Sequence, residues 1–192
     1  MKILVTGTNR GFGAALSREL RIHPEVGQLV SLNRTSAGNP AEIEYLCDFE
    51  DHSDLGVTLS RLVRDHSDIH AVILNAGVLG PIGPTDSVAV EEFELAFQVN
   101  FLANKVIVDA ALRGTRASEF IQVSSGATET VYEGWATYSL SKLLLRRIFD
   151  FYRAEIPDKS FVAVSPGPMK TAMNREIRSS GLGQYVWADK FG

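Results

Sequence analysis

The chain has a single cysteine in 192 residues, which excludes an internal disulfide framework. Cys47 reads as a core residue, and such sparse cysteine fits a reducing compartment, so a cytoplasmic protein is expected. There is no excess of positive charge: 19 Lys and Arg stand against 23 Asp and Glu, for a net charge of -4. That speaks against a nucleic-acid partner, which is met by a basic patch. The four histidines, His23, His52, His66 and His70, share no metal-ligand spacing with one another or with Cys47, so no metal site is expected. No uninterrupted apolar run approaches the roughly 20 residues of a bilayer span. Lys2-Ile3-Leu4-Val5 gives way to polar residues too soon for a signal peptide. Neither a membrane partner nor an internal repeat is expected.

What is present is a 45% hydrophobic composition arranged in alternating strand and helix patterns. Short apolar runs at Lys2–Thr6, Gln28–Leu32, Glu42–Leu46, His70–Leu74, Glu119–Val123 and Ser160–Val164 read as six strands. Helical patterns fall between them: Ala14 to Ile22, Asp51 to His66, about 88–112, and Trp135 to Ala154. Most of the strands are continuously apolar, as in a parallel sheet covered on both faces. The expected fold class is α/β, a doubly wound three-layer sheet with strand order 3-2-1-4-5-6, and no domain boundary is visible over 1–192.

In such sheets ligands bind beyond the carboxyl ends of the strands. The polar and glycine groups of this chain collect there: Gly7–Gly13, Asn33-Arg34, Asp48-Phe49, Asn75–Gly77, Ser124-Ser125 and Pro166-Gly167. On the following helix Tyr138 and Lys142 are four residues apart, so both project from one face. An ammonium beside a phenol favours the phenolate and lowers its pKa, which suits a tyrosine to proton transfer. By itself Tyr-x-x-x-Lys is a common surface pair.

With these groups in order, residues 1 to about 174 resemble the short-chain dehydrogenase/reductase family, in its main oxidoreductase branch. The motif Thr6-Gly7-x-x-x-Gly11-x-Gly13 has that branch's spacing, and the resemblance makes Gly7, Thr8, Asn9, Arg10, Gly11, Phe12 and Gly13 a diphosphate loop. At the end of the second strand stands Asn33-Arg34 with no acidic residue beside it. An arginine there accepts the 2′-phosphate of NADP, whereas an acid would bind the ribose of NAD, so NADP(H) is the expected cofactor, with Arg10 a second phosphate ligand. The resemblance further implies that Asp48 contacts the adenine, its other role being to cap the next helix. Phe49, Asn75, Ala76, Gly77, Pro166 and Gly167 line the cofactor. Thr171 holds the carboxamide, or caps a short helix.

The family's catalytic set falls on Asn100, Ser125, Tyr138 and Lys142, Ser125 lying thirteen residues before Tyr138. The implied chemistry is reversible hydride transfer between a nicotinamide and a small carbonyl or alcohol. Ser125 and Tyr138 bind the oxygen, Lys142 lowers the Tyr138 pKa and bonds the ribose, and Asn100 bends its helix and holds a water linked to Lys142. A homodimer through the helices at about 88–112 and 136–155 is also implied. Tyr132 and Trp135 either line the substrate mouth or pack. One departure stands out. Family members continue with a lid, a helix and a seventh strand, whereas here 172–192 reads as a reduced substrate-loop tail without that strand. Competing readings are a catalytically weak NADP-binding sensor or partner subunit, and a sugar-nucleotide epimerase or dehydratase, which the glycine spacing disfavours.

Overall fold

A computed structural model of the chain describes residues 1–39, 42–167, 169 and 171–179. Six parallel strands, β1 (Lys2–Thr6), β2 (Gln28–Asn33), β3 (Glu42–Leu46), β4 (Ala71–Leu74), β5 (Glu119–Val123) and β6 (Ser160–Val164), form one sheet in the order β3-β2-β1-β4-β5-β6. This is the expected order. The strand bounds match the apolar runs to within a residue. The expected absence of a seventh strand concerns residues that lie outside those described.

Alternation along the strands sorts side chains between two faces. Leu4, Val30, Leu32, Val72, Leu74, Phe120 and Phe161 point to one face, into the larger core. The helices α2 (His52–Asp65), α4 (Ala103–Gly114) and α5 (Ala136–Glu155) cover that face, contributing Leu55, Leu62, Ile107, Val108, Leu145 and Phe149. Phe161 stacks between Phe120 at 4.9 Å and Tyr152 at 5.3 Å. On the other face Ile3, Val5, Leu29, Ala71 and Ile73 pack under α1 (Gly11–Ile22) with Leu16 and Leu20. The covering on that side is incomplete among the described residues. Toward β6, Val162 and Val164 stay exposed, at 42% and 44%.

The long helix expected at about 88–112 runs from Val90 to Gly114, as α3 (Val90–Phe97), a π-helical turn (Gln98–Leu102) and α4. A π turn marks an inserted residue in an otherwise α-helical ladder. Asn100 sits in it. The 25 residues Val90–Gly114, though interrupted by charges, are long and apolar enough to cross a membrane by length and composition alone. Their apolar positions Ala96, Val99, Ala103, Ile107, Val108 and Ala111 are buried against the rest of the chain, which accounts for that composition.

Beyond the sixth strand, Ala172–Ser179 forms a further helix, α6. The sequence expects a reduced tail here, with a short helix capped by Thr171 as one reading. Met173 and Ile177, four apart, give α6 one apolar face, which packs on Leu79, Ala127 and Tyr138.

Candidate active site

A cleft of about 1380 Å³ runs along the carboxyl ends of the strands, from the glycine loop and the β2 end to Tyr138 and α6. Glycine builds its floor. Gly7 has φ +72°, a conformation that side chains disfavour. A Cβ on Gly13 would fall 1.9 Å from the Gly7 carbonyl oxygen. Close contact there brings α1 against the end of β1, so its N-terminus opens toward the cleft. Among the described residues no side chain caps that N-terminus, and its first turn carries no acidic residue. Uncapped N–H groups with the positive end of the helix dipole suit a diphosphate.

Asn75 secures this loop. Its Nδ2 donates to the carbonyls of Thr6 and Gly7, at 3.0 and 2.9 Å, and the N–H groups of Asn75 and Ala76 donate to Thr6 Oγ1, at 3.0 and 2.9 Å. Thr6 is therefore a site residue as much as a strand residue. Gly77 is fixed by close approach, because a Cβ there would come within 2.9 Å of Asn100 Oδ1 and 3.3 Å of Lys142 Nζ.

At the β2 end, Arg34 extends into solvent with Glu50 at 3.5 Å, a long and exposed ion pair that holds its guanidinium only weakly. Arg10, at the α1 N-cap, is likewise exposed. Asn33 behaves differently. Its side chain is buried and bonded to Thr8 and Glu44. Asn9 Nδ2 donates to Thr35, at 2.7 Å to the hydroxyl. Asp48 does not cap α2; Asp51 does, accepting from the N–H groups of Ser53 and Asp54, while Asp48 accepts from Glu50 N at 3.0 Å. Phe12 and Phe49 line the same end of the cleft.

The four residues expected at the centre are brought together by three elements: the π turn, the turn after β5, and α5. Asn100 is fully buried in the π turn. Its Oδ1 accepts from Val78 N at 2.8 Å, and its Nδ2 donates to Val78 O at 2.8 Å and Ser141 Oγ at 2.9 Å. The amide thus staples the loop after β4 to α5. Ser125 ends the turn after β5, accepts from Ala127 N at 3.2 Å, and hydrogen-bonds the Tyr138 hydroxyl. Lys142 is buried and donates to the Val123 carbonyl at 3.0 Å.

The electrostatics differ from the sequence expectation. Burial raises the Tyr138 pKa above its ordinary value, opposed by the Ser125 hydrogen bond. Burial also pushes the Lys142 ammonium down to about 8. Both groups are desolvated, which disfavours whichever form is charged. The ammonium bonds the Val123 carbonyl rather than the phenol, so the one-turn spacing alone does not deliver the expected lowering.

Above Tyr138 the wall is apolar: Leu79, Ala127, Met173 and Ile177, with Tyr132 and Trp135. The Trp135 ring meets Tyr132 at 5.1 Å and Tyr138 edge-on at 6.0 Å. Pro166, Gly167 and Thr171 line the cleft, but Thr171 Oγ1 accepts from Asn174 N at 3.2 Å and so serves as the cap of α6. A smaller hollow of about 360 Å³ beside Arg146, Arg153 and Phe161 contains none of these groups. Among the described residues no cluster of His, Cys, Asp or Glu is arranged to hold a metal.

The benzil reductase ((S)-benzoin forming) of Saccharomyces cerevisiae is 28% identical over 197 residues, covering 93% of this chain and 75% of that protein. The benzil reductase ((S)-benzoin forming) of Bacillus cereus is 25% identical over 211 residues, covering 98% and 84%. The crystal structure of YIR035C, a short-chain dehydrogenase/reductase of Saccharomyces cerevisiae, matches the fold with a TM-score of 0.84 at 24% identity, over 98% of this chain and 79% of that one. The family model for short chain dehydrogenases matches residues 1–181. The chain belongs to the short-chain dehydrogenase/reductase family of oxidoreductases.

Proposed function

We propose that the protein is an NADP(H)-dependent reductase of carbonyl groups carried on an apolar, aromatic framework, running reversibly to the alcohol. The observation that carries this reading is the meeting of Ser125, Tyr138 and Lys142 with an uncapped helix N-terminus in one cleft. The glycine cradle and the exposed arginines Arg10 and Arg34 fit a 2′-phosphorylated dinucleotide. When bound, that cofactor supplies the hydride.

The remaining steps belong to the side chains. Ser125 and Tyr138 donate hydrogen bonds to the substrate oxygen, and Tyr138 passes its proton to that oxygen as negative charge builds on it. Lys142, charged below about pH 8, favours the phenolate left behind. The high Tyr138 pKa keeps the hydroxyl protonated in the resting enzyme, ready to donate. Asn100 positions Val78 and, through Ser141, the first turns of α5. Tyr132, Trp135, Met173 and Ile177 exclude water and receive the apolar part of the substrate. The names of the two benzil reductases support an aromatic ketone or diketone as substrate class.

The test is NADPH consumption over a panel of aryl ketones, diketones including benzil, aliphatic aldehydes and quinones, with wild type and Tyr138→Phe. Turnover on aryl ketones that falls by about 1000-fold in the variant, with NADPH binding retained, is the expected result. Tight NADPH binding without turnover on any panel member would instead identify a sensor or partner subunit. Full activity of Tyr138→Phe would sink the mechanism.

A homodimer through α3–α4 and α5 is part of the same proposal. α5 presents Leu140, Leu143, Leu144 and Phe151 outward, and the α3–α4 run adds Leu95 and Leu102. Sedimentation velocity at micromolar concentration checks it, and a monomer there counts against it.

A further inference from the structure

β3 carries two acidic residues, Glu42 and Glu44, on the sheet face shared with Ser31 and Asn33 of β2. Their carboxylates do not extend into solvent. Glu42 accepts from Thr8 Oγ1 at 3.0 Å and from Arg21 at 3.2 Å, and also from the Ser17 hydroxyl. Glu44 turns toward the segment that follows β2. It accepts from Ser36 Oγ at 2.5 Å, Ala37 N at 2.7 Å and Asn33 Nδ2 at 2.8 Å. Burial pushes its carboxyl up, but these three hydrogen bonds outweigh that and hold it below its usual range.

The segment from Arg34 to Ala37 is thereby clamped from two sides. Asn9 of the glycine loop holds Thr35, and Glu44 holds Ser36 and Ala37. Asn33 joins the clamps, since its Oδ1 accepts from Thr8 N at 2.7 Å while its Nδ2 bonds Glu44. Among the described residues Arg34 itself has only the weak Glu50 contact to fix it. Its backbone must therefore be placed by its neighbours if the guanidinium is to meet a phosphate at a defined point.

We infer that Glu44 is a positioning residue for cofactor choice: by pinning Ser36 and Ala37 to β3 it fixes the turn that presents Arg34 to the 2′-phosphate. This inference rests on the reading of Arg34 as the phosphate ligand. Glu44 touches no part of the cofactor in this role. Its removal weakens the phosphorylated cofactor more than the unphosphorylated one, because the Gly7 end of the loop that takes the shared diphosphate is held by Asn75, and Thr8 keeps its bond to Asn33 Oδ1.

The experiment measures dissociation constants of NADPH and NADH by fluorescence titration of Arg34→Ala, Glu44→Ala, Glu44→Gln and the double variant R34A/E44A. Circular dichroism melting reports folding of each. Charge-assisted hydrogen bonds are about twice as strong as neutral ones, so the NADPH preference is expected to fall about tenfold in Glu44→Ala and about threefold in Glu44→Gln. NADH affinity stays within about twofold. In the Arg34→Ala background the Glu44→Ala change adds nothing further, because its route to the phosphate is gone. Should Glu44→Ala not fold, the near-isosteric Glu44→Gln decides alone. Equal weakening of both cofactors, an unchanged preference, or an effect that persists without Arg34 overturns the inference, since a merely structural brace gives one of these. If Arg34→Ala itself leaves the preference unchanged, the phosphate reading fails and the inference falls with it.

Discussion

Lys142→Met isolates one electrostatic term. The wild-type ammonium is buried, with a pKa near 8 against an ordinary 10.5. Between these values the unfolded chain holds a proton that the folded chain has lost. Stability therefore rises with pH across this window, at up to about 1.36 kcal/mol per pH unit. Below about pH 8 both states are protonated and the full burial penalty, roughly 3 kcal/mol, weighs on the fold. Above about 10.5 both are neutral and the penalty has vanished. Methionine fills similar space and carries no proton, so its contribution does not vary with pH. Loss of the hydrogen bond to Val123 is a constant offset. Subtracting variant from wild-type unfolding free energies also cancels every other titrating group. That difference should move in favour of wild type by about 2–3 kcal/mol between pH 7 and pH 10. Urea unfolding followed by far-ultraviolet circular dichroism at half-unit pH steps measures it. A flat difference would show that the folded protein carries Lys142 with an ordinary pKa, and the account of a desolvated ammonium would be wrong.

Other outcomes follow from the same geometry. Gly13→Ala places a methyl 1.9 Å from the Gly7 carbonyl, so the loop must open; NADPH titration should show affinity falling at least about 100-fold. Ile177→Ala removes apolar wall without touching the proton donor, and should raise KM for aryl ketones several-fold while kcat changes little, as steady-state kinetics would show. Phe161→Ala empties the centre of the aromatic stack and should cost about 3–5 kcal/mol in denaturant unfolding.

The order of the sheet was readable because most strands are short, largely apolar runs closed by glycine or a polar group. The carboxyl ends were equally plain, since Gly7–Gly13, Asn75–Gly77 and Ser124-Ser125 fall directly after strands. Side-chain partners were not. Asn33 and Arg34 are adjacent in sequence, yet one is buried in a hydrogen-bond network and the other stands in solvent. Strand alternation carries that difference, and it also pairs Glu42 with Glu44 on one face, a signal available in the residues but easily passed over in an edge strand. The Tyr138 shift was misjudged because spacing on a helix gives proximity, while burial depends on everything packed above it. Asp51 rather than Asp48 caps α2 because the cap must sit beside the first helical turn, which starts at His52. Helix α6 is visible in the sequence only as the alternative capping role of Thr171, since Met173 and Ile177 are just two apolar positions in a polar stretch.

The π turn at Gln98–Leu102 makes the long helix a jointed shaft. Each residue of an α-helix advances about 100° around the axis, and the wide turn takes up one extra residue without turning the helix beyond it. The buried positions therefore shift by one residue along the sequence across the turn. Ala96, Val99 and Asn100 are buried before the shift, and Ala103, Asn104, Ile107 and Ala111 after it. Removing a single residue from the turn would close the ladder into a regular α-helix, yet it would take away the wide turn that aims Asn100 at Val78 and Ser141. A local improvement in helicity would be a loss for the molecule.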